Sequence, residues 1–276
     1  MLDLHHHLLP GIDDGATDLA MSLEMARMAV ADGVATVACT PHIYPGLYDN
    51  TRAGIVAAIA RLQAELHDAG IPLHLVEGAD VHLDPDLIRG IRGGRIPTIA
   101  GSRYLLLEPP HHVAPPNFEG VVFELMAAGF VPVVTHPERL TWVETHYDLF
   151  VRLARRGAWM QVTAGAVTGR FGSRVRYWAE RFVDEGHCMI LATDAHHPRR
   201  RPPLLAEAYE AVAARLGAEE AGHMVRTRPA GIVADTAPHA LPPAPGADGP
   251  VERAPLQGRG ALSRMLRRLG IGRQAP

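Results

Sequence analysis

Val131-Pro132-Val133-Val134-Thr135-His136-Pro137-Glu138-Arg139 is a short apolar run that ends in an imidazole, a carboxylate and a guanidinium. The same pattern recurs along the chain. Strand-like runs at Met1–Leu4, Val34–Cys39, Leu73–Val76, Tyr104–Leu107, Trp159–Val162 and Met189–Ala192 lead into further polar clusters. These are His5 with His7, Thr40-Pro41-His42, Asp80, Glu108, Gln161 with Thr163, and Asp194-Ala195-His196. Helical stretches lie between the runs. In one of them Ile55, Ile59, Leu62 and Leu66 return at helical spacing and mark an apolar face. Thr17 or Asp18 suits the N-cap of a helix over Leu19–Ala31, and Gly70 suits the stop after Ile55–Ala69. About seven such β-α units predict an α/β protein with a parallel sheet buried by helices. In a closed (β/α) barrel the catalytic groups come from the C-terminal ends of the strands. The candidate ligands follow that rule, each on a different strand end.

Composition bounds the rest. Of 276 residues 47% are hydrophobic but only 5% aromatic, so aliphatic side chains must build the core. A net charge of -3 provides no basic surface for coating nucleic acid. Cys39 and Cys188 lie in apolar runs, which argues against a disulfide framework and for a cytoplasmic setting. No apolar stretch reaches the roughly 18 residues of a membrane span, and no segment reads as a signal peptide. After Val233 the pattern changes. Ala234–Pro255 is rich in Pro, Ala and Gly and reads as a disordered linker, so residues 1–233 form the expected domain and 234–276 a tail. Within Gly260–Gly272, Leu262, Leu266 and Leu269 lie opposite Arg264, Arg267 and Arg268. That is a short basic amphipathic helix suited to a membrane surface or an acidic partner. A frayed tail is the plainer reading, because short isolated helices are marginal.

The chemistry lies in the clusters. In Asp3-Leu4-His5-His6-His7 the alternation of an extended chain puts His5 and His7 on one side, where two imidazoles can grip one metal. Asp3 is placed to orient a ligand from behind. Leu9-Pro10-Gly11-Ile12-Asp13-Asp14-Gly15 is a tight loop that could swing a carboxylate over the site, or an ordinary turn. Pro41 fixes the strand exit so that His42 points inward. Asp80 and Glu108 supply carboxylates able to bridge two cations, although a lone acid at a strand end is more often a helix cap. His136 stands near Arg139, and Arg is the natural clamp for a pair of phosphate oxygens. Asp194 and His196 complete the set, with Arg199, Arg200 and Arg201 near the rim. Gln161, Thr163, Thr168, Gly169 and Arg170 could line the same mouth. His67, His74, His146 and His223 read as bystanders. Imidazoles and carboxylates from several strand ends describe a multinuclear metal centre and a hydrolase.

Asp-x-His-x-His, Thr-Pro-His, a strand-end acid, His-Pro-Glu-Arg and Asp-Ala-His, in that order, resemble the PHP (polymerase and histidinol phosphatase) superfamily. Leu-Pro-Gly-Ile-Asp-Asp-Gly, His-Pro-Glu-Arg and Thr-Ala-Gly-x-x-Thr-Gly-Arg-Phe-Gly look like its bacterial tyrosine-protein phosphatase branch from capsule and exopolysaccharide loci. The resemblance covers roughly residues 1–230. It implies a (β/α)7 barrel, a distorted TIM-like fold, holding three divalent metal ions, with manganese first and iron or zinc as alternatives. It implies His5, His7, Asp14, His42, Asp80, Glu108, His136, Asp194 and His196 as metal ligands and Arg139 and Arg201 as phosphate-binding catalytic groups. Asp80 is a departure, since many relatives have Glu there and Asp is one methylene shorter.

The reading that results is a metal-dependent protein-tyrosine phosphatase. A metal-activated hydroxide attacks phosphorus in line, and the partner is the phosphotyrosine-bearing tail of a bacterial tyrosine kinase. Peripheral membrane contact through the tail and a homo-oligomer are compatible with it. A cysteine-dependent route is excluded, because the positions where its arginine would fall are Pro45 and Asp194. Two rivals stand beside it: another PHP phosphoesterase acting on histidinol phosphate or a nucleotide, and a non-catalytic metal-stabilised module that binds phosphotyrosine.

Overall fold

A computed structural model describes residues 1–246. Its strands are β1 (Leu2–His6), β2 (Thr36–Cys39), β3 (His42–Ile43), β4 (His74–Glu77), β5 (Asp80–His82), β6 (Tyr104–Glu108), β7 (Val131–Thr135), β8 (Trp159–Thr163) and β9 (Ile190–Ala192). All seven expected runs are strands, and every strand pair is parallel. The strands form two sheets, β1-β2-β4 and β3-β5-β6-β7-β8-β9.

The two extra strands come from breaks. Thr40-Pro41 separates β2 from β3, and Gly78-Ala79 separates β4 from β5, so both strands interrupt at the same height. Proline has no N–H for a ladder. At Gly78 a Cβ would stand 2.9 Å from the Thr40 methyl, so the close approach of the two breaks requires glycine. Beyond the breaks His42 pairs with Asp80, and His82 with Glu108, which lines donor side chains up along one edge. The chain after β9 runs beside β1: His6 bridges Ala195 in parallel sense, His7 N donates to Ala195 O at 3.0 Å, and Asp194 N to His5 O at 2.8 Å.

Helices α1 (Leu19–Ala31) and α2 (Arg52–Asp68) begin and end where local chemistry requires. The Asp18 carboxylate caps α1 by accepting from Met21 N, and Thr51 caps α2 by accepting from Gly54 N. Gly70 takes φ +66° just past α2, the left-handed stop that glycine adopts freely. Ile55, Ala58, Leu62 and Leu66 are the buried face of α2. The later helices, α3 (Leu87–Arg92), α4 (Phe118–Ala127), α5 (Val143–Arg155), α6 (Ala164–Val167), α7 (Ser173–Asp184), α8 (Ala206–Leu216), α9 (Ala218–Gly222) and α10 (Arg228–Val233), fall between or after the strands. No helix among the described residues is long and apolar enough to cross a membrane.

Two cores result. The larger packs helices against strands through residues such as Leu62, Leu107, Val134, Phe150 and Leu191. The smaller joins Leu4, Ala38, Tyr104, Leu106, Val133, Trp159 and Ile190 to Ile232 and Ala244. Its last member corrects the reading of residues 234–246 as linker. This segment is packed: the buried Arg228 guanidinium donates to Pro242 O at 2.9 Å and Pro243 O at 2.7 Å, besides pairing with Glu220. Tyr104 Oη donates to Thr236 O at 2.7 Å, and Arg103 pairs with Asp235. A buried guanidinium must have its donors satisfied, and prolines in an extended strap offer carbonyls without needing ladder partners. The expected amphipathic helix at 260–272 lies outside the described residues.

Candidate metal centre

The nine side chains expected as ligands meet in one cluster. His5 and His7 face each other with Nε2 atoms 3.2 Å apart. Asp194 Oδ1 lies 3.3 Å from each of these nitrogens, and Asp80 Oδ2 lies 3.4 Å from His5 Nε2. Asp14 Oδ1 stands 3.4 Å from His42 Nε2 and 3.3 Å from His196 Nε2. Glu108 links the halves: its Oε2 is 3.2 Å from His42 Nδ1 and its Oε1 3.6 Å from His136 Nε2. Two donors each about 2.1 Å from one ion and 90–110° apart are themselves about 3.0–3.4 Å apart. The spacing therefore suits donors that share cations.

Local backbone aims these groups. An extra residue between Asp3 and His6 shifts the β1–β2 register, a bulge of the kind that re-aims side chains. His136 and Asp194 adopt φ +35° and +51°, in the left-handed region that non-glycine residues enter only at a cost. Both stand within two residues of a strand's end, where the chain turns away and the side chain faces the cluster.

The donors are unsatisfied as they stand. Both Asp80 oxygens, Glu108 Oε2, His42 Nδ1 and His196 Nε2 are buried without a hydrogen bond of proper geometry. Buried orphans of this sort call for an ion or a special role. Electrostatics agrees. Burial opposes ionisation of Glu108 and Asp194, yet the cations and imidazoles around them hold both carboxyls well below the usual range. Burial works against a charge on His5 and His42, but the Asp194 and Asp80 carboxylates raise His5 to about 9, and Asp14 and Glu108 raise His42 to about 11. Protons are held where the field demands cations. His136 and His196 go the other way, lowered to about 4 by burial and then by Arg139 and His7 respectively. An all-nitrogen-and-oxygen donor set of this size fits divalent manganese, iron or zinc, and five overlapping groups in it could each hold an ion.

Arg139 and Arg201 both pair with Asp194 Oδ2 at the rim. The Arg139 guanidinium also lies 4.9 Å over the Phe171 ring. Arg199 and Arg200 are exposed, and Arg170 is held by Glu207, away from the cluster. Of the possible mouth residues in β8, Gln161 reaches the site, with Oε1 2.9 Å from His5 Nδ1. Asp3 does not orient a ligand ring: it accepts from Thr193 N at 3.0 Å and from the Thr193 hydroxyl, tying β1 to the chain leaving β9. His67, His74, His146 and His223 join no candidate cluster among the described residues.

Sequence reasoning missed three groups. Asp13 accepts from His7 Nδ1 at 2.7 Å, so of the neighbouring acids one supports a ring and Asp14 faces the centre. His82 contacts Glu108 Oε2, and His111 Nε2 lies 3.2 Å from Glu108 Oε1. Once pairing makes Asp80–His82 a strand, His82 falls two residues after Asp80 on the same face, which the sequence by itself does not mark.

Fold and site together define a parallel α/β protein with a clustered His/Asp/Glu donor site at its strand ends and two arginines on its rim. The chain belongs to the capsular polysaccharide synthesis CpsB/CapC family, whose pattern matches residues 1–234. It is 33% identical over 201 residues to the tyrosine-protein phosphatase YwqE of Bacillus subtilis (strain 168), covering 73% of this chain and 79% of that one. It is 24% identical to the tyrosine-protein phosphatase CpsB of Streptococcus pneumoniae over 85% of this chain and 99% of that one. Among solved structures, one from a study of YwqE and CpsB as "unique metal-dependent tyrosine phosphatases" superposes with a TM-score of 0.83 at 30% identity, covering 86% and 96% of the two chains. A histidinol phosphate phosphatase from Lactococcus lactis shares the fold, with a TM-score of 0.51 at 14% identity over 80% of this chain and 93% of that one.

Proposed function

We propose that this chain is a metal-dependent protein-tyrosine phosphatase acting on the phosphotyrosine tail of a tyrosine kinase that governs capsular or exopolysaccharide synthesis. One observation carries the reading: two arginines stand at the rim of a dense donor cluster, cations ready for an anion that the cluster's own metals would also bind. The relatives' names and the superposition with YwqE and CpsB support it.

His5, His7, Asp14, His42, Asp80, Glu108, His136, Asp194 and His196 hold three divalent ions, manganese by preference. Divalent ions in such a site supply Lewis-acid activation of water and neutralise phosphoryl charge. Arg139 and Arg201 bind phosphoryl oxygens, exchanging Asp194 for the substrate dianion, and Phe171 keeps the Arg139 fork in place. Water adds to phosphorus as the phenolate of tyrosine leaves, a better leaving group than an alkoxide and less in need of a proton. Neither thiol takes part. Cys39 and Cys188 are buried, and burial pushes both thiols well above their usual range.

The catalytic unit is a (β/α)7 barrel in which β2 with β3, and β4 with β5, each count as one broken strand. The bridge between His6 and Ala195 supports its closure. The unit includes the packed residues 234–246 rather than stopping at 233, and it works in the cytoplasm, in keeping with two unpaired buried thiols. The test is turnover of a phosphotyrosine peptide. It should vanish with chelator, return with Mn²⁺, and persist in Cys39→Ser and Cys188→Ser. Turnover that survives exhaustive metal removal, or dies with Cys188→Ser in a folded, metal-loaded protein, refutes the reading. Peptide binding without turnover would favour a binding module.

A further inference from the structure

The site opens into a cavity of about 270 Å³. Nine of the twelve residues lining it are acids, His or Arg; the other three are Tyr44, Leu47 and Tyr48. All three belong to one five-residue turn. Tyr44 and Leu47 are 43% and 62% exposed, a large apolar area for a mouth otherwise built of charge.

The turn is held firmly. Tyr44 N donates to Tyr48 O at 3.0 Å and Tyr48 N to Tyr44 O at 2.8 Å, while Gly46, at φ +80°, donates to Asp49 Oδ1. Asn50 Nδ2 donates to both Ile12 O and His42 O at 2.9 Å, fastening the turn to the loop that carries Asp14. The rings are oriented as well. Tyr44 stacks on His82 with centroids 4.1 Å apart and planes 12° apart, and Tyr48 lies at 5.7 Å and 19° from His42. A flat apolar wall thus stands directly beside the donors proposed to receive phosphate.

We infer that Tyr44, Leu47 and Tyr48 form an aryl subsite that selects aromatic over aliphatic phosphate esters, resting on the phosphatase reading above. Metal and arginine groups bind the phosphoryl end that all monoesters share, so discrimination must come from what touches the leaving group. An aryl ester sets a flat ring one bond from the bridging oxygen, where it can cover Leu47 and the open face of Tyr44. The phosphate of a serine or threonine side chain sets only one or two carbons there before the peptide backbone, which carries polar groups that this wall cannot pair.

The experiment uses the full chain loaded with Mn²⁺ and two non-hydrolysable probes, benzylphosphonate and ethylphosphonate, measured by calorimetry. The parent should favour the benzyl compound by about tenfold or more, the factor for about 55 Å² of apolar surface at roughly 25 cal/mol/Å². Leu47→Ala and the Tyr44→Ala/Leu47→Ala pair should lose most of that preference, with the ethylphosphonate Kd moving less than about twofold. Leu47 is largely exposed, so its substitution leaves folding intact, and the melting temperature checks this. Equal affinities in the parent, or a preference that survives the double variant, overturns the subsite. A parent that prefers the benzyl compound yet fails to hydrolyse a phosphotyrosine peptide supports the subsite and sinks the phosphatase reading instead.

Discussion

Replacing Gln161 with leucine should weaken metal binding at only a small cost to the fold. His5 places Nε2 toward His7, Asp80 and Asp194, while its Nδ1 meets Gln161 Oε1 at 2.9 Å. That hydrogen bond keeps the proton on Nδ1 and the lone pair on Nε2, where a metal needs it. Outer partners of this sort are worth about 10–100-fold in metal affinity. A neutral amide belongs at the low end, so Gln161→Leu should raise the Mn²⁺ Kd about tenfold, or about 1.4 kcal/mol. Asp13→Ala should cost nearer about 100-fold, because its carboxylate holds the His7 ring through a charge-assisted hydrogen bond at 2.7 Å, stronger than one to an amide. Stability separates the two. Gln161 Nε2 is buried and unpartnered, so leucine sheds one orphan donor but strands the buried His5 Nδ1–H, and the net cost is the one hydrogen bond lost, about 1 kcal/mol. Asp13 also accepts from Gly15 N and His42 N, so its loss should destabilise by about 1–3 kcal/mol. Mn²⁺ titration by calorimetry, beside thermal melts of the metal-free proteins, reads both quantities. If Gln161→Leu binds Mn²⁺ as tightly as the parent, or loses affinity only by unfolding, the assignment of His5 Nε2 as a ligand atom is wrong.

Further outcomes follow from the same geometry. In the metal-free protein His5 and His42 are raised to about 9 and about 11 from an ordinary 6.5, so their stabilising contribution is complete below 6.5 and lost as pH climbs through those values. The melting temperature without metal should therefore fall between pH 7 and 10, whereas with Mn²⁺ replacing the protons it should stay nearly level; a metal-free protein that gains stability over this window contradicts the account. Arg139→Ala and Arg201→Ala should keep their metal and lower kcat/KM by about 10²–10³, with Arg139→Lys restoring only part because an ammonium has no fork; steady-state kinetics with metal analysis on the same samples decides it. Truncation after Val233 should lower thermal stability by about 2–4 kcal/mol, since Arg228 loses two carbonyl acceptors and Tyr104 its partner, and a melt unchanged from the parent would show the strap to be dispensable.

Much of this protein is legible residue by residue. Apolar runs such as Val131–Thr135 mark strands, and Ile55, Leu62 and Leu66 mark a helix face, because both signals depend on neighbours a few positions away. Placing a donor after each run then brings His5, His42, Asp80, Glu108, His136 and Asp194 to one end of the sheets, since parallel strands carry all their C-terminal ends together. Tertiary structure alone decided the rest. Strands of two and three residues, His42–Ile43 and Asp80–His82, are too short to carry a period, and only pairing defines them. Asp13 and Asp14 are chemically alike, and the positions of the His7 and His42 rings divide their work. His111 looks like a loop residue until its loop brings the ring back beside Glu108. The run from residue 234 to 246 has a linker's composition whether or not it packs. It becomes part of the fold because Arg228 is buried beneath it, and its carbonyls accept from the guanidinium Nε and Nη2.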